Sequence, residues 1–455
     1  MYKFSKYREQ YKLNLKLALP VMLSQLGQVI VQLADNAMVG QYGGDNPTPL
    51  AAAAFGGGMF FLSFVTIMGL TFGITPIVGE LYAQKRYAES TKYLQNGVAL
   101  YGVSAVIMAI LQYTIIPVMW HMGQPEEVVA MAIPYYKTLV WSLPSIIIFF
   151  TIKQFLEGVG NTTVAMWSVV ISNLINILLN YALIGGEWGA PELGVLGAGV
   201  ATLISRVVVM LIILIYFLQS KLFEEYRRHF SRNNFSRRAL RRLFNMGSPI
   251  SAQIFFEAGA FVIAGFMFGW FGTTAISANQ IGITIGNCSF MIIVAVGAAT
   301  TIRVSHCFGQ RNFAQMRRAS NAALHLSIVW NLSMAILFFS FREIIPRMFT
   351  SNEEVIALAS TLILTIAAYQ ITDGLQCIGI GILRGMQDVK IIPLISFVSY
   401  WICNIPVGYL CAFHLGMGVT GLYMGFLFGF GVATVLIFLR IKQRQKQLIL
   451  CENIG

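Results

Sequence analysis

The sequence predicts an all-α integral membrane protein whose twelve transmembrane helices form two parallel-repeat lobes of six. Three observations predict it. The chain has 455 residues, of which 56% are hydrophobic and only 11% are charged, against roughly 25% charged in soluble chains. Its apolar runs are continuous and long, so they read as helices rather than as the alternating strands of a barrel. Finally, segments of the first half recur in the second at a near-constant offset, the mark of an internal repeat.

A spanning helix needs about 20 apolar residues. On that measure the spans fall near 14–39, 50–78, 94–118, 131–157, 162–184 and 194–218 in the first half. Those of the second half fall near 243–270, 275–302, 319–341, 355–383, 390–414 and 416–440. This divides the chain into an N-terminal lobe (1–218), a basic linker (219–242), a C-terminal lobe (243–440) and a tail (441–455). The N-terminal basic segment runs straight into a long apolar helix and has no cleavage site of small residues, so it reads as part of the mature membrane protein.

The net charge of +12 is explained by topology. Twenty-seven of the 31 Lys and Arg fall on one set of alternating loops, in the basic linker or near the termini. Among them are Lys85, Arg86, Lys153, Arg303, Arg384, Lys390 and Arg440. The opposite loops are short and acidic, carrying Asp45, Glu126, Glu127, Glu187, Glu192, Glu353 and Glu354. The positive-inside rule then puts both termini in the cytoplasm. Trp120, Trp188 and Trp270 fall at outer ends, as an aromatic belt requires. The basic excess therefore belongs to lipid headgroups and not to a nucleic acid.

Leu19-Pro20-Val21 pairs with Ser248-Pro249-Ile250, and Met38-Val39-Gly40 with Met267-Phe268-Gly269. Leu156-Glu157-Gly158 pairs with Leu383-Arg384-Gly385, and Gly194-Val195-Leu196-Gly197 with Gly418-Val419-Thr420-Gly421. Six spans is an even number, so the two halves share one orientation. That is the parallel-repeat plan found in transporters, and it is also met in channels.

The residues that bear on function are ionisable groups within apolar helices, where a charge costs at least ~2.5 kcal/mol on insertion scales. Asp35 lies in VIVQLADNAMVG, Glu257 in SAQIFFEAGAFVIAG and Asp373 in AAYQITDGLQCIGIG. Two carboxylates facing one cavity need a proton or another cation between them. A hard cation such as Na⁺, held by oxygen ligands at Glu257 and Asp373, serves as well as a proton. Tyr369 precedes Asp373 by one helical turn and shares its face. Asn173, Asn176 and Asn180 form one polar stripe, which with Asp35 and Thr202 makes a second polar pocket in the first half. The same asparagines also suit plain interhelical hydrogen bonding. Arg206 lies halfway along the sixth span, either paired with Asp35, lining the cavity or snorkelling; Gln280 is a further cavity candidate. Pro20 and Pro249 stand at equivalent repeat positions as bend points.

There is no Walker A sequence and no HExxH, the five histidines are scattered, and none of the six cysteines forms a CxxC pair. An enzyme is not expected, nor is any cofactor beyond the coupling ion.

With those residues in view, the sequence resembles the multidrug and toxic compound extrusion (MATE) transporters, most closely the NorM-type branch. The resemblance rests on ALPVMLSQ…ADNAMVG, ITPIVGE, EGVGNTTVAM, NILLNYALI…GAPELGVLGAGVAT, SPISAQIFFE, TIRV and AAYQITDGLQCIGIGILRGMQD, in order over nearly the whole chain. It implies two lobes set around a V-shaped central cavity, and export of amphiphilic, often cationic, compounds in exchange for H⁺ or Na⁺. It places the second-lobe cation site at Glu257, Asp373 and Tyr369. It places a first-lobe site at Asp35, Asn176, Asn180 and Thr202. Asn36 and Arg206 are atypical there. The alternative within transport is a flippase for a lipid-linked precursor. The expected setting is the bacterial plasma (inner) membrane, with the chain acting as a monomer on small organic substrates.

Overall fold

The computed structural model describes residues 2–44 and 46–454, with side chains described from Tyr7 to Leu448. Asp45 and the side chains of Lys3, Lys6 and Cys451 lie outside the described residues. Every regular element among the described residues is helical.

In the first half these are α1 (Tyr2–Gly43), α2 (Thr48–Thr71), α3 (Ile74–Ala83), α4 (Tyr87–Met119), α5 (Glu126–Gly158), α6 (Thr163–Gly185) and α7 (Val195–Gln219). The short α8 (Glu224–Arg228) lies between the halves. The second half holds α9 (Arg237–Gly269), α10 (Thr273–Gly309), α11 (Phe313–Phe341), α12 (Ile344–Arg347) and α13 (Glu353–Gly385). It closes with α14 (Ile392–Ser396), α15 (Ile405–Tyr409) and α16 (Gly418–Ile454). Twelve stretches are long and apolar enough to cross a membrane, in the order the sequence predicts.

Most helices run past the apolar window into polar flanks, which makes the spans longer than the sequence alone assigns. The basic stretch expected as a linker folds onto the first half: the Thr91 hydroxyl donates to the Tyr226 carbonyl (2.9 Å) and the Asn96 amide to the Asn234 carbonyl (2.9 Å). The expected tail is a continuation of α16.

Local chemistry sets the boundaries. Asn352 caps α13 by accepting from the Glu354 and Val355 N–H groups, and Glu353 and Glu354 sit in the first turn, where the helix dipole favours acids. Between α14 and α15 the backbone winds as a π-helix over Phe397–Asn404. Pro406 follows at the start of α15. Its ring cannot share an α-turn with the carbonyl four residues back, and the wider π-turn absorbs the misfit.

One face of α4 carries Val103, Ile107, Ile110 and Leu111, each more than half exposed. An unbroken apolar face of this kind is stable only against lipid or a partner.

The chain forms two compact units, Leu23–Ser251, and residues up to Met22 together with those from Ala252 onward. In the first, α5 is the central helix, with 78% of its apolar window buried, and it packs on α2, α3, α4 and α7. In the second, its repeat counterpart α13 packs on α10, α11 and α16. The unit boundaries fall inside α1 and α9, two residues beyond Pro20 and Pro249. The reason lies in where each helix start finds its partners. The start of α9 packs on α2–α4: a Cβ at Gly247 would stand 2.3 Å from the Leu70 carbonyl oxygen, Ser251 donates to the Thr66 carbonyl (2.6 Å), and Arg242 pairs with Glu80 at 2.8 Å. The start of α1 packs on α10 and α11: Arg303 donates to Gln10, the Asn14 amide donates to the Ala319 carbonyl (3.2 Å), and Tyr11 shares a hydrogen bond with His325 (2.9 Å).

Two residues counted among the cytoplasmic charges turn inward instead. Lys153 is buried and pairs with Glu157 at 3.4 Å. Arg384 reaches the second-half acids described below.

Candidate functional site

In the second half, α9 presents Gln253 and Glu257 one turn apart on one face, and α13 presents Tyr369 and Asp373 in the same way. The Gln253 amide donates to Glu257 Oε2 at 2.6 Å. Its carbonyl oxygen accepts from Arg384 Nη2, also at 2.6 Å. The amide is thereby fixed in one orientation, with its donor toward the acid and its acceptor toward the guanidinium. Asp373 is buried and lies within electrostatic reach of Glu257. Gly374 sets how closely α11 approaches beside it, since a Cβ there would stand 1.9 Å from the Asn331 side-chain amide.

The π-helical segment supplies two consecutive aromatic contacts on either side of these acids. Tyr400 accepts from Gln376, one turn beyond Asp373 on α13. The indole of Trp401 donates to the Phe256 carbonyl at 3.0 Å, beside Glu257. The Tyr369 ring sits in an aromatic cluster, with ring centres 5.3 Å from Phe430 and 6.1 Å from Tyr423. Gln280, a cavity candidate from sequence, is exposed on α10 and is not among the groups bonded to Glu257.

In the first half, α1 brings Asp35 against α6. The Asn180 amide donates to Asp35 Oδ1 and to Asn176 Oδ1 (3.2 Å). The Asn176 amide donates on to the Ser205 hydroxyl of α7 at 3.3 Å. Three of the predicted residues, Asp35, Asn176 and Asn180, thus form one chain of hydrogen bonds, extended by Ser205. Thr202 joins only at one remove, as its carbonyl accepts from Ser205 (3.0 Å) while its own hydroxyl bonds the α7 backbone. Asn173 stands apart, packed close to Gly27 of α1.

Arg206 donates to the Ser142 hydroxyl at 2.7 Å. Its guanidinium lies over the rings of Phe60 and Phe64, 5.1 and 5.3 Å from their centres. Planar stacking of this kind suits arginine. No direct ion pair joins Arg206 to Asp35 among the described residues, although each acts on the other through its field. Tyr135 lies within the same field.

The two sites share a chemical plan. In each, a carboxylate on the first helix of a repeat accepts from a side-chain amide, of Asn180 in one and Gln253 in the other. An amide donor holds a carboxylate in place without cancelling its charge, so the acid stays available to a cation. Among the described residues, no group of three or more His, Cys, Asp or Glu gathers as a metal centre would require. Arg384, Gln253, Ser205 and Tyr135 were not singled out from sequence. Gln253 carried a readable signal, one helical turn before Glu257 on the same face. Arg384 was masked by its place in a run of loop charges.

The MatE family model matches residues 20–182 and again 249–410, once in each half. Among solved structures, the chain is similar to the eukaryotic MATE transporter AtDTX14, at 21% identity over 97% of this chain and 98% of that one, with a TM-score of 0.87. A mutant of the Vibrio cholerae MATE transporter VcmN matches at 18% identity over 97% and 98% of the two chains, with a TM-score of 0.88. An outward-facing multidrug resistance MATE family transporter of the MOP superfamily matches at 23% identity over 96% of each chain, with a TM-score of 0.83. At these identities the structural likeness establishes a common fold.

Proposed function

The chain belongs to the MatE family, whose members are transporters rather than enzymes, and from that premise we propose that it is a cation-coupled antiporter of the NorM-type branch. It exports small amphiphilic compounds, often cationic, in exchange for H⁺ or Na⁺. The observation that carries this reading is the pair of acids Glu257 and Asp373, brought within each other's field from two different helices of one unit.

Two negative charges held in an apolar setting repel, and each has given up water, Asp373 most of all. A cation arriving between them relieves both costs, so the site binds one readily and changes its free energy when it does. If the two access states of the transporter differ in their affinity for that cation, a gradient of it shifts their populations. Asp35 supplies a second acid in the other repeat, where a cationic substrate and a coupling ion compete by charge. Trp401 and Tyr369, both only partly buried, offer apolar and π surface beside the second-half acids, which suits amphiphilic molecules. We place the chain in the bacterial plasma membrane, and the charge asymmetry of its loops supports both termini being cytoplasmic.

The experiment is efflux of a cationic dye from liposomes holding the purified protein, under an imposed proton gradient in one arm and an imposed Na⁺ gradient in the other. Acceleration by one gradient is the expected result and identifies the coupling ion. Equal, slow efflux in both arms, with scrambling of a labelled lipid instead, would replace this reading with a flippase.

A further inference from the structure

We propose that Arg384 is the resident counter-charge of the second-half site: acting on Glu257 through the Gln253 amide, it leaves the Glu257–Asp373 pair with one net negative charge, so that the site takes a single monovalent cation at a time. This rests on the reading of Glu257 and Asp373 as the coupling site and adds its charge balance and a positioning residue.

The geometry is a short relay. Arg384 Nη2 to Gln253 Oε1 is 2.6 Å, and Gln253 Nε2 to Glu257 Oε2 is 2.6 Å. With the width of one amide between them, the guanidinium and the carboxylate stand roughly 7 Å apart. An amide accepting from a cation at one end is polarised to donate more strongly at the other. The relay therefore favours ionised Glu257 in two ways, through charge and through a sharpened hydrogen bond. The fields of Arg384 and Glu257 do reach one another. The guanidinium stays protonated at every accessible pH, so the compensation persists.

The repeat shows that this is a feature of one half only. The position equivalent to Arg384 is Glu157, which closes its charge locally on Lys153 of the same helix at 3.4 Å. A base kept merely to mark the cytoplasmic side would extend toward headgroups. Arg384 instead sends a donor to a buried glutamine; Gln253 is only 3% exposed.

At an effective dielectric near 20, a unit charge at about 7 Å changes cation affinity by roughly tenfold or more. The test is dye efflux from proteoliposomes as a function of pH and of Na⁺, read as the cation concentration giving half-maximal rate. For whichever cation drives the parental protein, Arg384→Met should lower that concentration about tenfold, because the acids now hold the cation more tightly. Arg384→Lys should return it to within about threefold of the parental value. Gln253→Leu should lower it in the same direction, and the double variant should shift by clearly less than the two single shifts combined. A folded Arg384→Met with a reduced rate and an unmoved midpoint overturns the proposal and makes the arginine a packing residue. Fully additive shifts overturn the relay. Should Arg384→Met fail to fold, an unmoved midpoint in Gln253→Leu is equally decisive. Glu257→Gln in the same assay tests the reading beneath: if it keeps the parental cation dependence, the coupling site itself is misplaced, whatever Arg384 does.

Discussion

Asn180→Leu isolates the first-half acid from its support. Asn180 is fully buried, and one amide nitrogen serves both Asp35 Oδ1 and Asn176 Oδ1. Leucine has the same number and branching of side-chain heavy atoms, so the shape is kept at somewhat greater bulk while both bonds are lost. A hydrogen bond to a charged group contributes about 1.5–3 kcal/mol, and 1.36 kcal/mol is a factor of ten in affinity. The lost donor stabilised the ionised form of Asp35 against the proton-bound or ion-bound form. Its removal therefore favours the occupied form, and cation affinity at Asp35 should rise by about ten- to a hundredfold. Export then slows because the ion is released late, and the pH or Na⁺ dependence of dye efflux moves toward lower cation concentration. The assay is dye efflux from proteoliposomes at graded cation concentrations, with thermal unfolding followed in parallel. A midpoint unchanged within threefold in a folded Asn180→Leu protein would show that Asp35 takes no part in cation binding. It would leave the asparagine stripe as interhelical glue.

Two further predictions follow from the same geometry. Asp35→Asn should reduce dye export more than tenfold at matched expression. Arg206→Ala should act more mildly, because its guanidinium is held by Ser142, Phe60 and Phe64 rather than by the acid; complete loss in Arg206→Ala with rescue by the double variant would instead reveal a structural ion pair. For topology, single cysteines introduced at Phe230 and Gly189 in a cysteine-free background should label from outside intact cells at 189 and not at 230, and the reverse pattern would invert the assigned orientation.

The fold was legible because its cause is crude: apolar runs of spanning length, loop charges on alternate sides and a repeated pattern leave few architectures. Asp35, Glu257 and Asp373 were legible because an acid in an apolar run has to be accounted for by something. Partners were harder to read. Asn176 and Asn180 announced a face by their spacing, but Ser205 is an ordinary helix residue until α6 is laid against α7. Arg384 looked like one more cytoplasmic charge, since sequence gives its place along α13 and not the direction of its side chain. The π-helical winding that delivers both Tyr400 and Trp401 was foreshadowed only by Pro406. The unit boundaries inside α1 and α9 depend on tertiary contacts such as Gly247 against Leu70, which no periodicity encodes.

On the proposed mechanism Glu257 and Asp373 together couple cation entry to export. Its most direct test is gradient-driven dye efflux by Glu257→Gln and Asp373→Asn in proteoliposomes, each compared with the parental protein at equal folded amounts. Both changes keep side-chain volume and remove only the charge. Each variant should fall nearly to the rate of empty liposomes while its thermal unfolding remains close to parental. Parental, gradient-dependent efflux by both variants would contradict it and reduce the paired acids to a structural feature of the second half.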